Sequence, residues 1–504
     1  MGTNFADNFT DNSADTVTGT FADTKNVYFL GIGGIGMSAL AFYFKANKYD
    51  VSGYDKTPSP LTEQLIGDGI AVNYLDEERA IESKYLDPAT TLLVYTPAIP
   101  KDNQQLNVFL KAGFTPHKRS EVLGIVSRNK KALCVAGTHG KTTITTMLAY
   151  LLKNSSVGCN AFLGGLSMNF GSNLLLDEKS DYVVIEADEF DRSFLRLQPE
   201  IAVITAMDAD HLDIYNDKES MVEAFNQFAA LVREGGKLFL KQGLHITSRS
   251  CDGVYAIGKE ADYYSDNLHI AEGHFDNPYD NSYVFDFHWP GGTMRGLRSG
   301  IPGRVNVENA TAAIMVALQV GVTEQEIRAA LPNFRGVKRR FNILSKGTIC
   351  NEAMNSAAAG KGACSLVNRV TYIDDYAHHP KEIEAVLTSV REMWPDKKLT
   401  VAFQPHLFTR TRDFHTEFAR SLDIADSVLL LDIYPARELP LAGVTSEIIR
   451  KNLHVPSVIV SKEEFVEFVK AEVTEGIFMT LGAGDIDRFV NVFAEMFEEA
   501  TAPK

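Results

Sequence analysis

The stretch Ala132–Leu152, ALCVAGTHGKTTITTMLAYLL, passes from an apolar run through a glycine-bounded turn, Gly137 to Gly140, into Lys141-Thr142-Thr143 and an apolar segment long enough for a helix. Strand, tight turn and helix in that order predict the core of an α/β sheet. The same order makes an anion site. Backbone N–H groups of Gly137, Thr138, His139 and Gly140 meet the positive end of the following helix, Lys141 adds a mobile charge, and a threonine hydroxyl can hold Mg²⁺. The general phosphate-loop pattern places a glycine five positions before the second glycine, where this chain has Val135. GTHGKTT is therefore a shortened loop. A glycine turn with a surface lysine is the plainer alternative; the position between strand and helix favours nucleoside triphosphate binding.

Toward the N-terminus, Asn26–Leu30 reads as a buried strand running into Gly31-Ile32-Gly33-Gly34-Ile35-Gly36, followed by a helical stretch from Met37 to Asn47. A second strand, Tyr49 to Tyr54, ends in Asp55, nineteen positions after Gly36. Glycines of this spacing permit a tight turn and close approach of backbone to a pyrophosphate, and the acidic residue can take ribose hydroxyls. NAD, FAD and a UDP-sugar all satisfy that geometry, so the base stays open here.

Toward the C-terminus, strands Tyr182–Ile185 and Ile201–Thr205 each end in an acidic cluster: Glu186 with Asp188, Glu189 and Asp191, then Asp208 and Asp210 with His211. Carboxylates at the C-terminal edge of such strands lie where open α/β sheets bind ligands, and beside a phosphate loop they are expected Mg²⁺ ligands; His211 is a second metal or phosphate contact. Asn306 and Asn309 stand just ahead of an alanine-rich helix expected over Ala310–Val320, where an asparagine amide can cap the helix or pair with a purine edge. From Arg335 onward strands and helices alternate again, with a strand expected over Leu399–Phe403 and a helix from Arg412, predicting a third, parallel α/β unit. Its polar clusters fall at strand ends: Lys338-Arg339-Arg340, Asp374 to Pro380 with His378 and His379, Gln404-Pro405-His406, and Arg410-Thr411-Arg412. Adjacent histidines cannot face one way on a regular element, so His378 and His379 are not expected to form a two-histidine metal site. The cations would suit a carboxylated or phosphorylated substrate.

A chain of 504 residues exceeds a single core, and three domains are expected: 25–128, 129–334 and 335–504, after a disordered tail over 1–24 that has neither the basic start nor the apolar core of a signal peptide. The net charge of −16 argues against a nucleic-acid partner. Five cysteines without a Cys-x-x-Cys pair suggest neither a disulfide framework nor a thiolate zinc site, and fit a reducing cytoplasm. No apolar window approaches the length of a membrane span.

Taken together, GIGGIGMS (31–38), GTHGKTT (137–143), EADEFDRSF (186–194), DADHLDIY (208–215), PGRVNVENA (302–310), GVKRRF (336–341), DDYAHHP (374–380), FQPH (403–406), TRTRDF (409–414) and LGAGD (481–485) resemble the Mur ligases, in family order over nearly the whole chain after the tail. The resemblance implies a Rossmann-like N-terminal domain for a UDP-sugar, a central P-loop ATPase-like domain and a C-terminal Rossmann-like α/β domain. It also implies a cytoplasmic, ATP- and Mg²⁺-dependent step of peptidoglycan synthesis, in which L-alanine is joined to the lactyl carboxylate of UDP-N-acetylmuramate through an acyl phosphate. The family's recycling ligase, which joins a whole tripeptide, is the alternative. By motif, Lys141 would neutralise the β and γ phosphates, Thr142 and Glu186 would hold one Mg²⁺ and His211 the second, and Asn309 would meet adenine. Arg340 would meet phosphates or ribose, and Asp375 the ribose hydroxyls. The UDP-sugar would fall to Gly31, Gly33, Gly34, Ile35, Gly36, Asp55, Asn173 and Arg192. His378, His406, Arg410 and Arg412 would hold alanine and the reacting carboxylate, with His378 as a candidate base. Leu407 stands where the family usually carries a basic residue, which shifts carboxylate recognition toward Arg410. Cys350–Leu366, rich in Ala, Gly and Asn, is expected to be a flexible hairpin.

Overall fold

The computed structural model describes residues 23–208, 218–258, 261–271, 282–345, 370–436 and 438–499. His211, nearly all of the expected tail and the Cys350–Leu366 segment lie outside the described residues. The chain divides into two compact units, one of residues 1–254 with 316–322, the other of 255–315 with 323–504.

In the first unit, β1 (Asn26–Leu30), α1 (Ile35–Ala46), β2 (Asp50–Tyr54), α2 (Pro60–Gly67), β3 (Ala71–Asn73), β4 (Thr91–Tyr95), α3 (Gln104–Lys111), β5 (His117–Lys118) and α4 (Arg119–Ser127) come first. Their strands form a parallel sheet in the order β3-β2-β1-β4-β5. The chain continues through β6 (Lys131–Ala136), α5 (Lys141–Lys153), β7 (Asn160–Phe162), β8 (Leu174–Leu175), β9 (Tyr182–Ala187), β10 (Pro199–Ile204), α6 (Lys218–Ala230) and β11 (Lys237–Lys241). These strands run in the order β11-β10-β6-β9-β7-β8, parallel except where β8 pairs with β7. Ala132 to Ala136 are all buried, as a strand covered on both faces must be. One apolar cluster joins the two sheets, from Val27, Phe29 and Phe44 through Val122 to Ala132, Ile185 and Phe225. Gly124 makes that contact possible, because a Cβ there would lie 2.5 Å from the Arg196 carbonyl oxygen.

The second unit takes up β12 (Gly253–Ile257) from Tyr255 onward, which pairs parallel with β13 (Tyr263–Ile270); β14 (Tyr283–Trp289) and β15 (Gly292–Arg298) follow antiparallel. After α7 (Arg304–Gln319) and α8 (Glu324–Ala330) come β16 (Asn342–Ser345), β17 (Val370–Asp375), α9 (Pro380–Met393), β18 (Leu399–Phe403), α10 (Phe408–Leu422) and β19 (Ser427–Leu430). The unit closes with α11 (Glu447–Arg450), β20 (Ser457–Ile459), α12 (Phe465–Glu472), β21 (Gly476–Leu481) and α13 (Val490–Glu499). The sheet order is β16-β17-β21-β18-β19-β20, and the edge strand β16 is antiparallel, which corrects the expectation of a wholly parallel unit.

Two helix starts also differ from the sequence reading. α7 begins at Arg304, so Asn306 and Asn309 lie within its first two turns and neither caps it; Gly303 at φ +94° makes the turn before it. α10 begins at Phe408, not Arg412, so Arg410 and Arg412 both ride on its opening turns. Its N-cap, Leu407, sits at φ +70° and offers no side-chain acceptor. Glu438 supplies one instead, accepting from the Thr409 amide at 3.0 Å and from the Thr409 hydroxyl. A cap contributed from twenty-nine residues away has no local sequence signal.

Candidate active site

The phosphate loop joins β6 to α5 and is built from backbone constraints. Gly137 sits at φ +129°, and a Cβ there would lie 2.2 Å from the Thr205 hydroxyl oxygen. Gly140, at φ +83°, is the N-cap of α5 and has no side chain to occupy the orphan N–H groups of the first turn. Thr205, at the end of β10, donates to the carbonyls of Ala136 and His139, and the Thr138 amide donates to Ala206 O at 3.1 Å. The loop is thus pinned to the neighbouring strand while its amide face stays available to an anion.

Around it stand the side chains expected from the motif. Thr142 Oγ1 donates to Glu186 Oε1 at 3.1 Å. Gly164, in the stretch after β7, leaves room for that carboxylate: a Cβ there would lie within 2.1 to 2.4 Å of its atoms. A hydroxyl and a carboxylate together are hard oxygen donors of the kind Mg²⁺ takes when phosphates complete its shell. Among the described residues no group of three or more His, Cys, Asp or Glu is placed to hold a metal alone. His139 Nε2 lies 3.4 Å from Asp208 Oδ2.

Lys141 meets a carboxylate that the sequence reading groups with the expected Mg²⁺ ligands, Glu189, which corrects that expectation. Its Nζ lies 2.9 and 2.8 Å from the two oxygens of Glu189, whose side chain is wholly buried. Burial raises the Glu189 carboxyl to about 7 against the pull of Lys141, and Asp188 raises it further. Burial disfavours the Lys141 charge, but Glu189, Asp188 and Glu186 outweigh it and hold the ammonium above its ordinary range.

The glycine turn after β1 gathers most of the expected UDP-sugar residues in the same unit. Gly31 turns at φ +86°, with its N–H and that of Ile32 donating to Tyr54 O. Asp55 accepts from Gly33 N at 2.7 Å and from Thr57 N at 3.2 Å, so it braces the turn. α1 starts one residue after Gly34, which places Ile35 and Gly36 in its first turn. Asn173, just before β8, reaches across and donates to Ile35 O and to Ser38 Oγ. Arg192 lies on a strained turn: it and Asp191 both occupy the left-handed region, at φ 53° and 52°, and Asp191 pairs with Lys118 at 2.9 Å. The sequence reading missed Arg119, whose guanidinium packs against Gly36.

In the second unit, Asp375 at the end of β17 is buried and accepts from Phe341 N at 2.6 Å and Ala377 N at 2.7 Å. Burial raises its carboxyl to about 6 despite Arg340 and those two amides. Arg340 lies over the Tyr376 ring at 5.0 Å and 3.9 Å from Glu382. His378 is 3.5 Å from Glu382, and its ring centre is 5.9 Å from that of His406, which in turn stacks on Tyr434. Glu382 and Tyr434 are further residues that the motifs did not flag. His379 turns away to cap α9, so the two histidines diverge as expected. Arg410 is buried, whereas Arg412 is half exposed and forms a two-pronged pair with Asp413.

A shortened phosphate loop with a hydroxyl–carboxylate pair beside it, a glycine turn at the end of β1 and a further α/β sheet define a multidomain α/β protein of nucleotide-binding type. Three family models match in succession: "Mur ligase family, catalytic domain" over 26–131, "Mur ligase middle domain" over 135–317, and "Mur ligase, glutamate ligase domain" over 363–484. The chain belongs to the Mur ligase family. It is 46% identical over 472 residues to the UDP-N-acetylmuramate–L-alanine ligase of Porphyromonas gingivalis, covering 92% of this chain and 97% of that one. It is likewise 46% identical over 464 residues to the enzyme of that name from Christiangramia forsetii, covering 92% and 95%. Among solved structures, a UDP-N-acetylmuramate-alanine ligase of Thermotoga maritima superposes with a TM-score of 0.75 at 25% identity, covering 94% of this chain and all of that one. A murein peptide ligase of Psychrobacter arcticus shares the fold, with a TM-score of 0.65 at 20% identity, covering 95% and 100%. Among the described residues no helix is long and apolar enough to cross a membrane.

Proposed function

We propose that this chain is an ATP-dependent ligase that joins L-alanine to the lactyl carboxylate of UDP-N-acetylmuramate, releasing ADP and phosphate. The observation that carries the reading is the phosphate loop: its lysine and Thr142–Glu186 pair supply the parts that phosphoryl transfer needs, in a chain nearly half identical to ligases of that name. The tripeptide-adding reading is less favoured, because its relatives share the fold at lower identity.

A carboxylate is a poor electrophile. Its attack on the γ-phosphate yields an acyl phosphate, and the alanine amine then displaces phosphate through a tetrahedral intermediate. Lys141 neutralises charge on the transferring phosphoryl group, and the amides from His139 to Lys141 orient the triphosphate. Thr142 and Glu186 would hold Mg²⁺, which neutralises phosphate charge when bound; His211 is assigned a second such role by motif. Asn309, Arg340 and Asp375 are assigned to the nucleoside. His378, backed by Glu382, is assigned to accept the amine proton, with His406 and Arg410 holding the alanine carboxylate. Half-exposed and already paired, Arg412 is the weaker candidate for that carboxylate. Domain edges at 128/129 and 334/335 and a cytoplasmic location belong to the same proposal.

Phosphate release measured with each substrate omitted in turn tests the assignment. Turnover should require ATP, UDP-N-acetylmuramate and L-alanine together; a clear preference for the tripeptide over alanine would overturn it.

A further inference from the structure

Arg119 is the first residue of α4, and its side chain packs against the first turn of α1: a Cβ on Gly36 would come within 2.8 Å of Nη1 and 3.1 Å of Cζ. Two helix N-termini therefore meet around one cation. That arrangement is electrostatically unfavourable by itself, since the positive end of a helix repels an arginine. The neighbouring cations Lys118 and Arg196 are paired with carboxylates, Lys118 with Asp191 and Arg196 with Glu121. Arg119 makes no hydrogen bond or ion pair among the described residues. An independent observation comes from the other side of the same turn. Asn173 is wholly buried, its Nδ2 is fixed by Ile35 O and Ser38 Oγ, and its Oδ1 has no hydrogen-bond partner among the described residues. A buried carbonyl oxygen without a donor is destabilising unless a ligand supplies one.

We infer that Arg119 and Asn173 bracket the sugar nucleotide at the first turn of α1, Arg119 as the counter-cation of its diphosphate and Asn173 Oδ1 as the acceptor for an N–H or O–H of the ligand. The inference rests on the proposed UDP-sugar reading and adds to it a division of labour: charge is read on the Gly36 side, a hydrogen-bond donor on the Ile35 side. Gly36 is needed because any side chain there would displace the guanidinium.

Calorimetric titration of the full chain with uridine, UMP, UDP and UDP-N-acetylmuramate tests it. Arg119→Gln keeps the side chain's packing and removes the charge; it should weaken UDP and UDP-N-acetylmuramate roughly 10- to 150-fold, the range of a lost charged hydrogen bond, while uridine and ATP-analogue affinities stay as in the wild type. Arg119→Lys should recover part of the loss. A wild-type chain that binds no UDP-sugar refutes the functional reading itself. A wild type that binds, with Arg119→Gln binding equally well, refutes this inference alone, and so does an equal loss for uridine and UDP. Asn173→Leu should weaken UDP-N-acetylmuramate with no change in the salt dependence of binding. Should that variant not fold, Asn173→Asp decides the same point: a carboxylate keeps the acceptor but loses the donor to Ile35 O, and unchanged affinity for every ligand in both variants would exclude Asn173 from the site.

Discussion

Replacing Glu189 by Gln would test whether the phosphate-loop lysine is held in waiting by an internal anion. The two oxygens of Glu189 lie 2.8 and 2.9 Å from Lys141 Nζ, with side-chain exposures of 0% for the glutamate and 12% for the lysine. Removing one partner of such a buried pair typically costs about 3–5 kcal/mol. Here Asp188 and Glu186 also favour the lysine charge, so about 2–3 kcal/mol is expected. Glutamine conserves the volume, which removes a cavity contribution. The loss should depend on ligand. In the wild type a triphosphate competes with Glu189 for Lys141; in Glu189→Gln it meets no competitor and restores the missing counter-charge. If it restores about 2 kcal/mol, the variant should bind a non-hydrolysable ATP analogue roughly 30-fold more tightly than the wild type. Affinity is the cleaner readout, because a chain of two compact units need not unfold in one step. Thermal melts with and without the analogue should nevertheless show the variant's deficit shrinking when nucleotide is bound. Unchanged affinity, with an equal thermal deficit in both conditions, would refute the idea that nucleotide and Glu189 exchange places on Lys141.

Lys141→Ala should abolish phosphate release while leaving UDP-N-acetylmuramate affinity within about twofold, as no residue of the glycine turn after β1 is altered; wild-type turnover would remove the phosphate loop from the mechanism. Glu438→Ala strips the cap from α10, and a loss of about 1 kcal/mol in stability with a raised KM for alanine is expected, because the helix start carries Arg410. An unchanged KM would separate the cap from substrate binding. Asp375, raised by burial from an ordinary carboxylate value to about 6, contributes stability that is full below pH 4 and is lost as pH rises through 6. Denaturation profiles between pH 4 and 7 should flatten in Asp375→Asn, and an unaltered slope would show that this carboxyl does not govern it.

Much of the fold was legible in order and type. The apolar run Ala132–Ala136 became a central strand because both its faces are covered, and Lys141 opens α5 where the loop pattern placed it. Boundaries failed where the deciding contact is distant in sequence. The start of α10 depends on Glu438, and the antiparallel edge β16 depends on pairing with β17, on the far side of a long intervening segment. The same distinction holds for the site. Thr142 and Glu186 were legible because a strand end and a phosphate loop bring them together in any such sheet.

The partners of those residues were not. Glu189 stood within a quoted motif, yet only folding shows that its carboxylate, and not a solvated turn, faces Lys141. Arg119 had no motif, and its meaning comes from Gly36 lying beneath it. The sequence by itself determined which backbone segments can turn, cradle an anion or run as buried strands, because glycine spacing and apolar runs act over a few residues. The tertiary structure alone decided which charges face which, because electrostatic partnership depends on distance and burial between segments far apart in the chain.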